Sequence, residues 1–159
     1  MSDQAVRQHV LDLLRGGGAH LSVDEALVDW PPKLRGVKPA GAAHTAWQLI
    51  EHLRIAQWDI LEFSRNPKHA SPDFPAGYWP PTEAPPDETA WDKSIAAFHA
   101  DLKAMEKLVG DAAKDLLARV SHPESKPEHT LLREALLVAD HNAYHLGQLV
   151  LLRRLLGAM

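Results

Sequence analysis

ADHNAYHLGQLVLLRR, Ala139 to Arg154, is the stretch on which the reading of this chain turns. His141 and His145 stand four residues apart, with leucine and valine on both sides. Counted from Leu131 at about 100° per residue, they fall at about 280° and 320° on a helical wheel. Leu137, Val138, Leu149, Leu152, Leu155 and Leu156 lie between about 240° and 360° on the same wheel. Arg133, Asp140, Asn142, Arg153 and Arg154 lie outside that arc. The two histidines are therefore predicted to face a core, together with Glu134 and Gln148.

One buried neutral imidazole needs only a hydrogen-bond partner. Two side by side are costlier, because each needs partners and neither is easily charged. A divalent cation relieves that cost, since residues four apart on a helix have Cβ atoms about 5–6 Å apart and their nitrogens can converge on one ion. The residues alone leave two readings open, a metal site and a hydrogen-bonded core pair. Asn142 follows His141, so the glutamate of a zinc-protease HExxH helix is missing.

Working outward, Thr130 is a predicted N-cap and Gly157 a stop for a last helix reaching Leu156. Val6, Val10, Leu13 and Leu14 have helical spacing, closed by Gly16, Gly17 and Gly18. Ser22 and Glu25 form a capping box for a short helix that stops before Pro31 and Pro32. Thr45 and Gln48 form another, opening a long helix that ends near Arg65, where Asn66-Pro67 breaks it. Trp91, Ile95, Phe98, Leu102, Met105 and Val109 mark a third long amphipathic helix. A short helical piece is expected over 111–119, and SHPESKPEH is a loop. Between Asn66 and Pro86 lies a proline-rich loop containing FPAGYWPP. Such loops often cover a site. The reading preferred for most of its aromatics is packing on the bundle. No segment alternates as a strand, so the expected fold is all-α, one four-helix-bundle domain over 1–159 with short accessory helices.

Composition narrows the function classes. Net charge is −4, without the basic excess of a non-specific nucleic-acid binder. There is no cysteine, which removes disulfides, thiolate metal sites and a cysteine nucleophile. The opening residues are too polar for a signal peptide and no apolar run approaches a membrane span. A soluble, cytoplasmic protein that engages neither membrane nor nucleic acid is expected.

A third ligand has to come from another helix. In HTAWQLIEHLRIAQWDIL, Leu49, Leu53, Ala56, Ile60 and Phe63 mark the core, with Gln48, His52 and Asp59 at its edge. His52 is well placed to meet the His141–His145 pair. His44, ahead of the helix start, is its competitor. His99 is expected to be partly exposed, while His9, His20, His69, His122 and His129 have loop or solvent-facing readings. Three imidazoles leave coordination positions for water or substrate, the arrangement of a reactive site; structural zinc is closed by four protein ligands. Zinc, nickel, iron and manganese all accept these donors.

WQLIEHLRIAQWDIL and ADHNAYHLGQLVLLRRLLG resemble the second and last bundle helices of the DinB-like superfamily, which includes YfiT-like thiol transferases, and FPAGYWP is similar to the long loop of one branch. The resemblance implies a four-helix bundle, often dimeric, with a metal held by three histidines that correspond to His52, His141 and His145. It also implies a small-molecule substrate and, in some members, a low-molecular-weight thiol transferred to an electrophile. The leading expectation is thus a divalent-metal-dependent thiol S-transferase. The alternatives are a metal-dependent hydrolase and a non-catalytic, stress-related metal-binding dimer. Trp58, read as exposed, is consistent with a dimer. Asp59, two helical turns beyond His52, could orient a ligand or accept a proton; the competing reading is a carboxylate at the bundle edge bonded to water or arginine. Glu134 reads as a buried ion pair or an exposed helix start, and Tyr144 as packing between helices.

Overall fold

The computed structural model describes residues 3–158. Its helices are α1 (Asp3–Arg15), α2 (Val23–Leu27), α3 (Ala46–Arg65), α4 (Ala90–Gly110) and α5 (Leu131–Leu155), with 3₁₀ turns at Pro32–Leu34 and Ala76–Tyr78. Among the described residues there is no strand, only an isolated bridge between Arg119 and Thr130. α3 packs against α4 and α5, and α1 against the same two helices, which makes the four-helix core; α2 rests on α5. No helix among the described residues is long and apolar enough to cross a membrane.

The caps form as their residue types require. Ser22 and Glu25 close a reciprocal capping box at α2, and Thr45 and Gln48 another at α3. Thr130 accepts from the Arg133 N–H at the start of α5. Gly157, just past the α5 cap, has φ +65, a conformation that side chains with a Cβ disfavour.

The expected helix over 111–119 is absent. Asp111 and Asp115 instead accept from the backbone N–H two residues on, giving two successive aspartate turns. These short carboxylates compete with helical bonding. The Arg7 guanidinium takes the carbonyls of Val109, Asp111 and Lys114, so the end of α4 is satisfied from α1 rather than by further helix. That also explains why Arg7 is buried while Val6 and Leu13 on α1 are exposed.

The core has two parts. One gathers Leu49, Ile50, Leu53, Trp91, Phe98 and Leu149, and the other Leu61, Met105, Val109, Leu131, Ala135 and Val138. Both α3 and α5 contribute to each part, and between their two contributions each carries polar side chains. Gln57, fully buried, donates to the Phe98 carbonyl and accepts from the Asn142 amide. His52, His141 and His145 lie at the same level along the two helices.

The wheel misplaced three α5 residues. Asn142 and Arg153 are buried, and Leu155 is 58 % exposed. α5 is contacted by α1, α2, α3 and α4, so it buries more than one face. Arg153 donates to the carbonyls of Ala26 and Ala158 and lies over the Trp30 ring.

Candidate functional site

His52 projects from α3, and His141 and His145 from successive turns of α5. The register set by the Thr45 cap and by the apolar contacts of Leu49 and Leu53 turns His52 toward α5. His52 Nε2 lies 3.0 Å from His141 Nε2 and 3.1 Å from His145 Nε2. One nitrogen from each of the three rings falls within 4.8 Å of the others, a group that could hold a metal ion.

The outward nitrogens decide what the inward ones can do. His52 Nδ1 lies 2.8 Å from the Tyr78 carbonyl, which only accepts, so Nδ1 carries the proton and Nε2 presents a lone pair. His145 Nδ1 lies 3.1 Å from Gln148 Oε1, and the same reasoning gives its Nε2 a lone pair. Two lone pairs thus face one another at 3.1 Å, an arrangement that neutral imidazoles do not favour and a cation between them stabilises. Nitrogens about 2.0–2.1 Å from one ion lie about 3.0 Å apart at a right angle and about 3.4 Å at the tetrahedral angle. The observed separations fall in or beside that interval. The donor set therefore fits a small divalent cation. His141 Nδ1 is buried without a partner among the described residues.

Burial keeps the rings neutral. It pushes His52 down to about 4, against an opposing push from its bond to the Tyr78 carbonyl, with the neighbouring histidines adding to the lowering. Burial pushes His141 down to about 3, with His145 and His52 adding to the effect. His145 is lowered as well, again chiefly by burial. Neutral imidazole is the ligating form, so the rings are ready to bind a cation without first losing protons.

The proline-rich loop is part of the site. Trp79 lies between two imidazoles, 3.9 Å from His52 on one face and 3.9 Å from His44 on the other. His44 is thereby separated from the cluster by an indole, which leaves His52 as the α3 contribution. Phe74, by contrast, is 88 % exposed. Trp79 packs against the core as expected, whereas Phe74 does not, and Trp79 and Tyr78 also build the wall of the histidine cluster.

Asp59 does not touch the cluster. Its two oxygens accept from His69 Nε2 and the Tyr78 hydroxyl, each at 2.7 Å. It pins both ends of a loop segment whose Tyr78 carbonyl holds His52. Burial and the bond to Asp59 push the Tyr78 hydroxyl up to about 12. His69 and His122 lie in loops as expected but fold inward, His122 donating to the His69 carbonyl. Trp58 is half-buried with its ring edge-on to His69, not exposed. Glu134 is buried and paired with Arg133. Tyr144 is 66 % exposed and does not pack between helices. His99 is partly exposed beside Asp24.

A cavity of about 610 Å³ opens beside the cluster, reached past His145, Gln148 and Trp79. The family model of the DinB superfamily matches residues 19–149, a span that contains all three histidines and the loop. The chain belongs to the DinB superfamily. No curated protein and no solved structure matches it. Within this DinB-superfamily chain, sequence reasoning missed Gln57 and Asn142. The signal was present: Gln57 follows core Leu53 by four, and Asn142 stands four from both Val138 and Leu146.

Proposed function

We propose that this chain is a divalent-metal enzyme that joins a low-molecular-weight thiol to an electrophilic carbon. The observation that supports it is the convergence of three neutral imidazole nitrogens from two helices beside an open cavity. A cation held there supplies Lewis acidity that favours the thiolate form of a bound thiol. In the transfer, the S–H proton leaves to solvent, sulfur forms a bond to carbon, and the leaving group departs with the electrons of its former bond. The chain has no cysteine, so the reacting sulfur belongs to the cosubstrate.

The protein's own residues divide the remaining work. His52, His141 and His145 are the ligands. The Tyr78 carbonyl and Gln148 fix the tautomers of His52 and His145 and hold their rings in place. Trp79 covers one face of His52 and keeps water from it. Asp59 is a positioning residue that acts through Tyr78 and His69 and moves no proton to substrate.

The test is metal content by mass spectrometry, followed by thiol consumption against a panel of electrophiles. One equivalent of metal and metal-dependent thiol consumption are expected, both lost in His52→Ala, His141→Ala and His145→Ala. Equal turnover by the chelated protein and by these variants would sink the reading. Metal-dependent ester cleavage without any thiol would assign hydrolysis in its place.

A further inference from the structure

The cavity beside the cluster has a wall whose chemistry the transfer reading does not use. It runs along α5 from His145 to Leu155, a rise of about 15 Å at 1.5 Å per residue. Opposite α5 it is closed by Leu49, the Ala40–Ala43 segment and Trp79. Among the described residues no lysine, arginine, aspartate or glutamate lines it. Its polar side chains are His44, Gln148 and His145, with the Tyr144 ring beside them, all at the end nearest the cluster. The other end is leucine: Leu151 and Leu155 are each 58 % exposed, and Leu152 is buried behind them.

We infer that this cavity takes an uncharged substrate with an elongated apolar body, its reacting end at His145 and Gln148 and its tail along Leu151 and Leu155. Along this wall, away from the cation site, a carboxylate or ammonium would find no opposite charge and would be desolvated without compensation. An apolar body would cover leucine surface that otherwise faces water. Gln148 favours an oxygen acceptor at the reacting end. Its Oε1 is already held by His145, which leaves the amide N–H groups as its donors. The orientation of the substrate rests on the histidine cluster being the reacting centre; its uncharged, apolar character rests on the cavity wall alone.

The test uses the full-length protein, metal-loaded and chelated, titrated calorimetrically with butanamide, hexanamide, octanamide, octanoate and octylammonium. In both forms the amides are expected to bind, with affinity rising about fourfold per methylene. In the chelated form, where a carboxylate cannot bind as a metal ligand, octanoate and octylammonium should bind at least about tenfold more weakly than octanamide. Leu151→Glu and Leu155→Glu alter exposed side chains, so the thermal midpoint should hold while octanamide affinity falls about tenfold or more. Octanoate binding as well as octanamide to the chelated protein, no dependence on chain length, or unaltered binding by both variants overturns the proposal. So does a dimer that Leu151→Glu dissociates with octanamide affinity unchanged, because that face then belongs to a second copy. Amide binding without metal-dependent thiol turnover supports the cavity assignment while removing the transferase reading; turnover without amide binding does the reverse.

Discussion

Removing the Asp59 carboxylate isolates the loop's contribution to the metal site, because Asp59 touches none of the three histidines. Its oxygens each accept one bond of 2.7 Å, from His69 and from Tyr78. Hydrogen bonds to a charged acceptor are worth about 1.5–3 kcal/mol each, so Asp59→Ala costs about 3–6 kcal/mol of loop anchoring. The Tyr78 carbonyl then no longer holds the His52 ring as firmly, and Trp79 loses its fixed place on that ring. Loss of a group that orients a ligand lowers metal affinity by about 10–100-fold, or about 1.4–2.8 kcal/mol. Tyr78→Phe removes one of the two bonds and keeps the carbonyl, so its effect should be the smaller. Met105→Ala, in the core away from the loop, is the control, expected to cost about 2–5 kcal/mol of stability. The assay is competitive metal titration against a chelator under native conditions, paired with chemical denaturation of each variant. Metal affinity should fall in the order Met105→Ala, Tyr78→Phe, Asp59→Ala, with Met105→Ala close to wild type. If Asp59→Ala binds metal as tightly as Met105→Ala does, the loop does not orient His52.

Three further outcomes follow from the same geometry. Gln57→Leu leaves the Asn142 amide and the Phe98 carbonyl without their partner and should cost about 1–3 kcal/mol; adding Asn142→Leu should recover part of that loss in urea denaturation. The unfolded chain takes protons on its imidazoles as pH falls below about 6.5, whereas the fold holds His52 and His141 down at about 4 and 3. Their contribution to the stability of the chelated protein is therefore complete above about pH 6.5 and is lost as pH falls toward those values, a decline that thermal melts should show and His141→Phe should flatten. Because the rings are neutral at pH 7, metal uptake there should release almost no protons, read as equal binding enthalpies in buffers of different ionisation heat.

Much of the architecture was legible because it rests on local chemistry. Ser22, Thr45 and Thr130 satisfy N–H groups within three residues of themselves, so the capped helix starts could be read directly. The 111–119 segment was misread because its outcome depends on Arg7, more than a hundred residues away, taking the carbonyls at the end of α4. Asn142 was misplaced for a related reason. A wheel assumes one buried face, while α5 is covered by four other helices.

The sequence alone determined that His141 and His145 share a helix face and that His52 sits where it can meet them, because a helix sets the angle between residues on its own surface. It could not determine what stands behind each ring. Only the tertiary structure decided that the Tyr78 carbonyl and Gln148 claim the outward nitrogens, and that Trp79, not a fourth ligand, separates His44 from the cluster. Those contacts are made by a proline-rich loop with no periodicity to read, brought across α3 and held there by Asp59. Spacing along a chain encodes direction within one helix; the partner that makes a lone pair point inward is a property of the packed assembly.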